Sequence, residues 1–162
     1  MITAKINRAI QLRNEGKPSE ALELLKRLLM EEPDHPVANY QAAWTCDSMG
    51  KEGDAVPFYE RAIAKGLSGE DLRGSFLGLG STLRCLGKYT ESLEVFERGV
   101  LHFPTDRALK IFKALTLYNL GQYAESFETL LLQLIETTSD PDLQRYAKAL
   151  RFYSDKLDQT WT

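Results

Sequence analysis

Two histidines and two cysteines are all that 162 residues offer of the side chains that most often ligate metals or attack substrates. Cys46 and Cys85 lie 39 residues apart, each in a stretch of helical apolar spacing. That separation makes neither a disulfide framework nor a metal-ligand motif. Two reduced thiols acting as small apolar side chains are expected instead. His35 and His102 each stand at a proline-containing joint, His35-Pro36 and His102-Phe103-Pro104, away from either cysteine. The chain has no Ser–His–acid order of catalytic spacing, no GxxxxGK[ST] and no HExxH. Gly74, Gly78 and Gly80 follow no strand, so a phosphate loop is not expected. The reading is of a protein that is not an enzyme and carries no cofactor or metal.

Charge of one sign is lacking as well. The formal net charge is −3. Residues 1–72 carry 9 basic and 12 acidic side chains, and residues 73–162 carry 11 of each. No basic field is present of the kind that neutralises phosphates, so nucleic acid is not an expected ligand. The longest apolar run, Leu130–Ile135, is interrupted by Gln133 and is far too short to cross a bilayer. The first residues, Met1–Arg8, begin a charged amphipathic helix and not a secretory apolar core. A cytoplasmic location without membrane contact is the expectation.

What is present is a repeated phrase, Gly-Lys/Gln-x-x-acid-Ala/Ser. It occurs at Gly16–Ala21, Gly50–Ala55, Gly87–Ser92 and Gly121–Ser126. The glycines are 34, 37 and 34 residues apart, and helical apolar spacing flanks each one. A helix–turn–helix unit of about 34 residues is a signature of stacked helical hairpins, which present a long concave surface to a partner.

The spacing and residue types resemble the tetratricopeptide repeat family. Residues 73–106 match its pattern best, through Phe76, Leu79, Gly80, Leu83, Ser92, Phe96 and Pro104. Residues 2–35 supply Ala9, Leu12, Ala21, Leu25 and Pro33; residues 36–69 supply Ala42, Ala43, Cys46, Ala55, Tyr59 and Ala62. Residues 107–139 supply Ala114, Leu117, Ser126 and Leu130. The resemblance implies one all-α domain over 1–162, a right-handed α-α superhelix of four hairpins. A capping helix is expected at 140–158, with Leu143, Tyr146, Ala147, Leu150, Tyr153 and Leu157 as the stripe that covers the fourth repeat. Small residues pair across each hairpin because only they let helices approach to about 8–10 Å.

In this family the first helix of each pair lines the concave face. The register then points Tyr40, Trp44, Arg84, Ile111, Phe112 and Tyr118 inward, with Arg13 among further inward positions. Arg145, Lys148, Arg151 and Phe152 project from the cap. These residues are the candidate partner-binding set, in a groove aromatic at its middle and basic at its end. Two arrangements fit the pattern: an open groove that takes a peptide or helix of another protein, or aromatic rings packed on neighbouring helices. A homodimer that buries the groove or the cap is the alternative function. The carboxylate-clamp residues used by some family members are absent, since Ile6, Ile10, Gln41, Gly74 and Gly78 occupy those positions.

Two local features carry expectations of their own. The Lys65–Gly69 joint lacks proline, contains two glycines and is followed by three extra residues, so it should be the least constrained link. Pro57 is expected near the start of a second helix, where a missing N–H costs least.

Overall fold

The computed structural model describes residues 1–162 as nine α-helices in sequence. They are α1 (Ile2–Asn14), α2 (Pro18–Glu31), α3 (Pro36–Ser48), α4 (Glu52–Ala64), α5 (Gly69–Cys85), α6 (Tyr89–His102), α7 (Arg107–Asn119), α8 (Tyr123–Thr137) and α9 (Pro141–Tyr153). No helix is long and apolar enough to cross a membrane.

The repeated glycine ends the first helix of every pair. Gly16, Gly50, Gly87 and Gly121 have φ of +78°, +67°, +75° and +76°, the left-handed region that only glycine enters without penalty. Each closes the same pair of hydrogen bonds. In the first hairpin the Lys17 N–H donates to Leu12 O at 2.9 Å and the Gly16 N–H to Arg13 O at 3.0 Å. The sequence repeats because this two-bond C-cap repeats. Glu20, Asp54, Glu91 and Glu125 then sit in the first turn of the following helix, where their charge complements the helix dipole.

Small residues set the distance between the helices of a pair. Ala9, Ala21, Ala43, Ala55 and Ala114 are buried. Where serine replaces alanine, its hydroxyl bonds across the crossing: Ser92 Oγ donates to Gly80 O and Ser126 Oγ to Ala114 O, both at 2.7 Å. A buried hydroxyl is thereby satisfied without widening the contact.

Each inner first helix meets the one before it and the one after it, so that α1, α3, α5 and α7 form a continuous row. The backbones of the second helices α2, α4, α6 and α8 stay further from one another. In a curved stack the elements in mutual contact lie on the inside, so the first helices line the concave face.

Two details differ from the sequence reading. Helix α4 begins at Glu52, which places Pro57 at its sixth residue, past the first turn. The proline therefore removes one interior hydrogen bond, and the carbonyl its ring approaches belongs to Gly53. Helix α9 ends at Tyr153, short of 158, and is capped by Asp140, whose carboxylate accepts from the Asp142 and Leu143 N–H groups at 2.9 and 3.0 Å.

The capping role of α9 is also narrower than the stripe implies. Its backbone runs close to that of α8 and not to that of α7, although Arg151 of α9 and Arg107 of α7 both reach Glu136 of α8, at 3.8 and 2.8 Å. Leu143, Ala147 and Leu150 are half-buried and Ser154 is buried, whereas Tyr146, Tyr153 and Leu157 are exposed. The four sheltered residues follow steps of 4, 3 and 4, one line along a helix. The wider stripe of apolar residues exceeds what one neighbouring helix covers.

Candidate functional site

The middle of the concave face holds a cleft of about 380 Å³ between α3, α5 and α7. Its walls include Trp44, Leu77, Ser81 and Phe112, and its floor is made by Tyr40 and Tyr59. Three glycines of α5 explain how large rings fit there. A Cβ at Gly74 would overlap the Tyr40 hydroxyl, and one at Gly78 would overlap the Tyr59 hydroxyl. At Gly80 it would lie 2.5 Å from Phe96 Cζ. The glycines that resemble a phosphate loop in sequence are seats for aromatic rings.

Tyr40 is only 8% exposed and Trp44 is 47% exposed. Their ring centroids are 6.0 Å apart, and Tyr40 lies 6.3 Å from Tyr59. Tyr40 is thus a packed floor residue, and Trp44 is the ring presented at the surface.

Over Trp44 lies the guanidinium of Arg13, 4.0 Å from the ring centroid. Its Nη1 donates to Thr45 Oγ1 at 3.3 Å and to Gln41 O at 3.5 Å. These contacts join the first helices of repeats one and two. No carboxylate pairs with Arg13, and burial pushes its pKa down from the ordinary arginine value. The tryptophan face offsets part of that cost.

Below the cleft, Asp47 accepts hydrogen bonds from the Tyr59 hydroxyl at 2.7 Å and the Thr82 hydroxyl at 2.9 Å. Burial nevertheless raises the Asp47 carboxyl above the usual carboxylate value. Burial first, and then the Asp47 charge, push the Tyr59 phenol far above its ordinary value. This three-helix bond network holds the floor in place. Its hydroxyl and carboxylate groups satisfy one another, so it is a support and not a reactive set.

The remaining candidates fall into separate groups. Arg84 Nε donates to Asn119 Oδ1 at 2.7 Å, tying α5 to α7. Ile111, Leu115 and Tyr118 are exposed along α7, while Phe112 is half-buried 6.4 Å from Phe96. Arg145, Lys148, Arg151 and Phe152 are all exposed on α9, and none of them lines the Trp44 cleft. The structure therefore does not join them to the Trp44 cleft in one surface. Arg145 pairs with Asp142 at 3.3 Å, and Arg151 lies 3.8 Å from Glu136. Phe152 stacks with Tyr153 and Trp161 at 5.2 and 6.1 Å.

A second hollow of about 350 Å³ lies between α4 and α6, with Glu60, Glu91 and Glu94 at its rim. Of its large apolar residues Leu79, Leu83 and Val95 are buried and Ile63 is half-buried, so it exposes no anchor comparable to Trp44.

Residues 36–157 match the family model for the tetratrico peptide repeat. The chain is a tetratricopeptide repeat protein. Among solved structures it resembles MamA from Desulfovibrio magneticus RS-1 (TM-score 0.75, 18% identity, 97% of this chain and 87% of that one). It also resembles YrrB, described as a TPR protein with an unusual peptide-binding site (TM-score 0.66, 17% identity, 91% and 84% of the two chains). At such identities the likeness is one of fold. Superkiller protein 3 of Saccharomyces cerevisiae is 26% identical over 94 residues, 58% of this chain and 6% of that protein. The chain thus spans a small part of the length of that relative. The tetratricopeptide fold is that of a protein–protein interaction module.

Proposed function

We propose that this tetratricopeptide domain binds a peptide or helix of a partner protein in its concave groove. An apolar side chain of the partner enters the cleft between Trp44, Leu77 and Phe112, and an acidic group beside it meets Arg13. One observation carries this reading: a half-exposed tryptophan at the mouth of the cleft, overlain by an arginine that has no carboxylate partner. A carboxylate brought to Arg13 would relieve the cost of its burial through a charge-assisted hydrogen bond. Tryptophan and arginine are also the side chains on which interface energy most often concentrates. Two unpaired thiols, Cys46 and Cys85, fit a reducing compartment, and on that ground we place the module in the cytoplasm.

The test is a selection of displayed random peptides on the whole chain, counter-screened on Trp44→Ala. The proposal expects enriched sequences that pair an apolar residue with Asp or Glu and that lose binding to Trp44→Ala. Enriched peptides indifferent to Trp44 would refute it. The alternative, a homodimer, draws on a different surface at the C-terminal end.

A further inference from the structure

The C-terminal end of the stack is an open apolar face. In each repeat a large side chain nine residues after the glycine plugs the space between successive first helices. Leu25, Tyr59 and Phe96 fill that position at 1%, 2% and 0% exposure, but the fourth plug, Leu130, is 38% exposed. Helix α9 shelters it only in part, its backbone running close to α8 and not to α7. Leu134 (48%) lies one turn further along α8, and the neighbouring helices expose Leu115 (36%) and Tyr118 (61%) on α7 and Tyr146 (58%) on α9. Large apolar surfaces of this kind mark association sites.

The opposite end is different. The residues that α1 exposes include Thr3, Asn7, Arg8 and Gln11, with no large apolar side chain among those exposed on the helix. A head-to-tail stack would therefore press Leu130 and Leu134 against polar groups, leaving those groups desolvated. The apolar end against itself buries like against like, and that pairing is two-fold and closed. The dimensions suffice. Helices α7, α8 and α9, each about 20 Å long and spaced about 10 Å apart, present roughly 600 Å². That is of the order of the ~800 Å² per partner buried in stable interfaces.

We infer that the chain forms a symmetric tail-to-tail dimer in which the open face of α7, α8 and α9 is closed by the same face of a second copy. The concave cleft around Trp44 stays accessible in both copies, so the dimer presents two grooves.

Sedimentation equilibrium of the full chain over a wide concentration series tests this. A monomer–dimer equilibrium is expected, weakened at least about tenfold by Leu134→Lys and by Tyr146→Lys but not by Met30→Lys, an exposed change on α2. Hydrogen exchange of the unaltered chain needs no variant, and protection of residues 130–134 should rise with concentration. A chain monomeric throughout, with exchange independent of concentration, would overturn the inference. So would oligomers that keep growing with concentration, or a dimer lost in Trp44→Ala and retained in Leu134→Lys.

Discussion

The Arg13 guanidinium lies 4.0 Å above the Trp44 ring and bridges the first helices of two repeats. This single stack both defines the mouth of the cleft and leaves a cation without a carboxylate. Trp44→Ala removes a half-exposed ring, so its stability cost should fall well below the ~3–5 kcal/mol of a buried tryptophan. Binding of a selected peptide should weaken by about 2 kcal/mol or more, roughly thirtyfold. Urea unfolding and calorimetric titration separate the two quantities. A large stability loss with unchanged affinity would make Trp44 a core residue.

Asp47 should give folding a recognisable pH signature. Its folded-state pKa is raised above the ordinary 3.8, chiefly by burial. A raised carboxyl pKa means that the folded state binds the proton more tightly. The resulting stabilisation is complete below the unfolded value and is lost as pH rises through the folded one. Asp47→Asn should therefore gain on the parent protein as pH rises from below 3.8, with the difference constant above the window. Melting curves of both proteins across this range provide the check, and a difference of opposite slope would contradict the assignment.

Two glycine substitutions should have opposite signs. Gly78→Ala puts a methyl group into the Tyr59 hydroxyl and should cost about 1–3 kcal/mol through overpacking. Gly53→Ala, in the first turn of α4 with open space around it, should instead stabilise by roughly 0.5–1 kcal/mol. Denaturant midpoints of the two variants decide the matter.

The parts of the fold that were legible in the sequence are those fixed by single-residue geometry. A glycine at +67° to +78°, an acid in the next first turn and a small residue at the crossing recur because each hairpin needs the same C-cap, dipole and close approach. The site was less legible. Register points Tyr40 and Trp44 to the same side, but only the ring seat at Gly74, 34 residues from Tyr40, sends one ring inward and leaves the other at the surface. The Asp47–Tyr59–Thr82 network joins three helices and has no repeated signal. The apolar stripe of α9 points to a cap, yet nothing in its spacing tells that Tyr146, Tyr153 and Leu157 stay exposed.

The joint at Gly66–Gly69 should open more readily than the others. Both glycines have positive φ, +89° and +58°, and no side chain caps the helix that follows. By contrast, His35 and Asp106 cap α3 and α7, accepting from Ala38 N–H at 3.2 Å and Leu109 N–H at 2.8 Å. Hydrogen exchange should be faster at 66–69 than at 32–36 or 103–106. Equal protection at the three joints would remove the hinge.

The central claim is that the concave cleft is the binding surface, and amide chemical-shift mapping tests it most directly. The isotopically labelled chain would be titrated with a synthetic peptide drawn from the selection. The account predicts the largest shifts at the Trp44 indole and at the amides of Leu77, Gly78, Ser81 and Phe112. A footprint confined to Glu60, Glu91 and Glu94, or to α8 and α9 with the Trp44 indole unmoved, would contradict it.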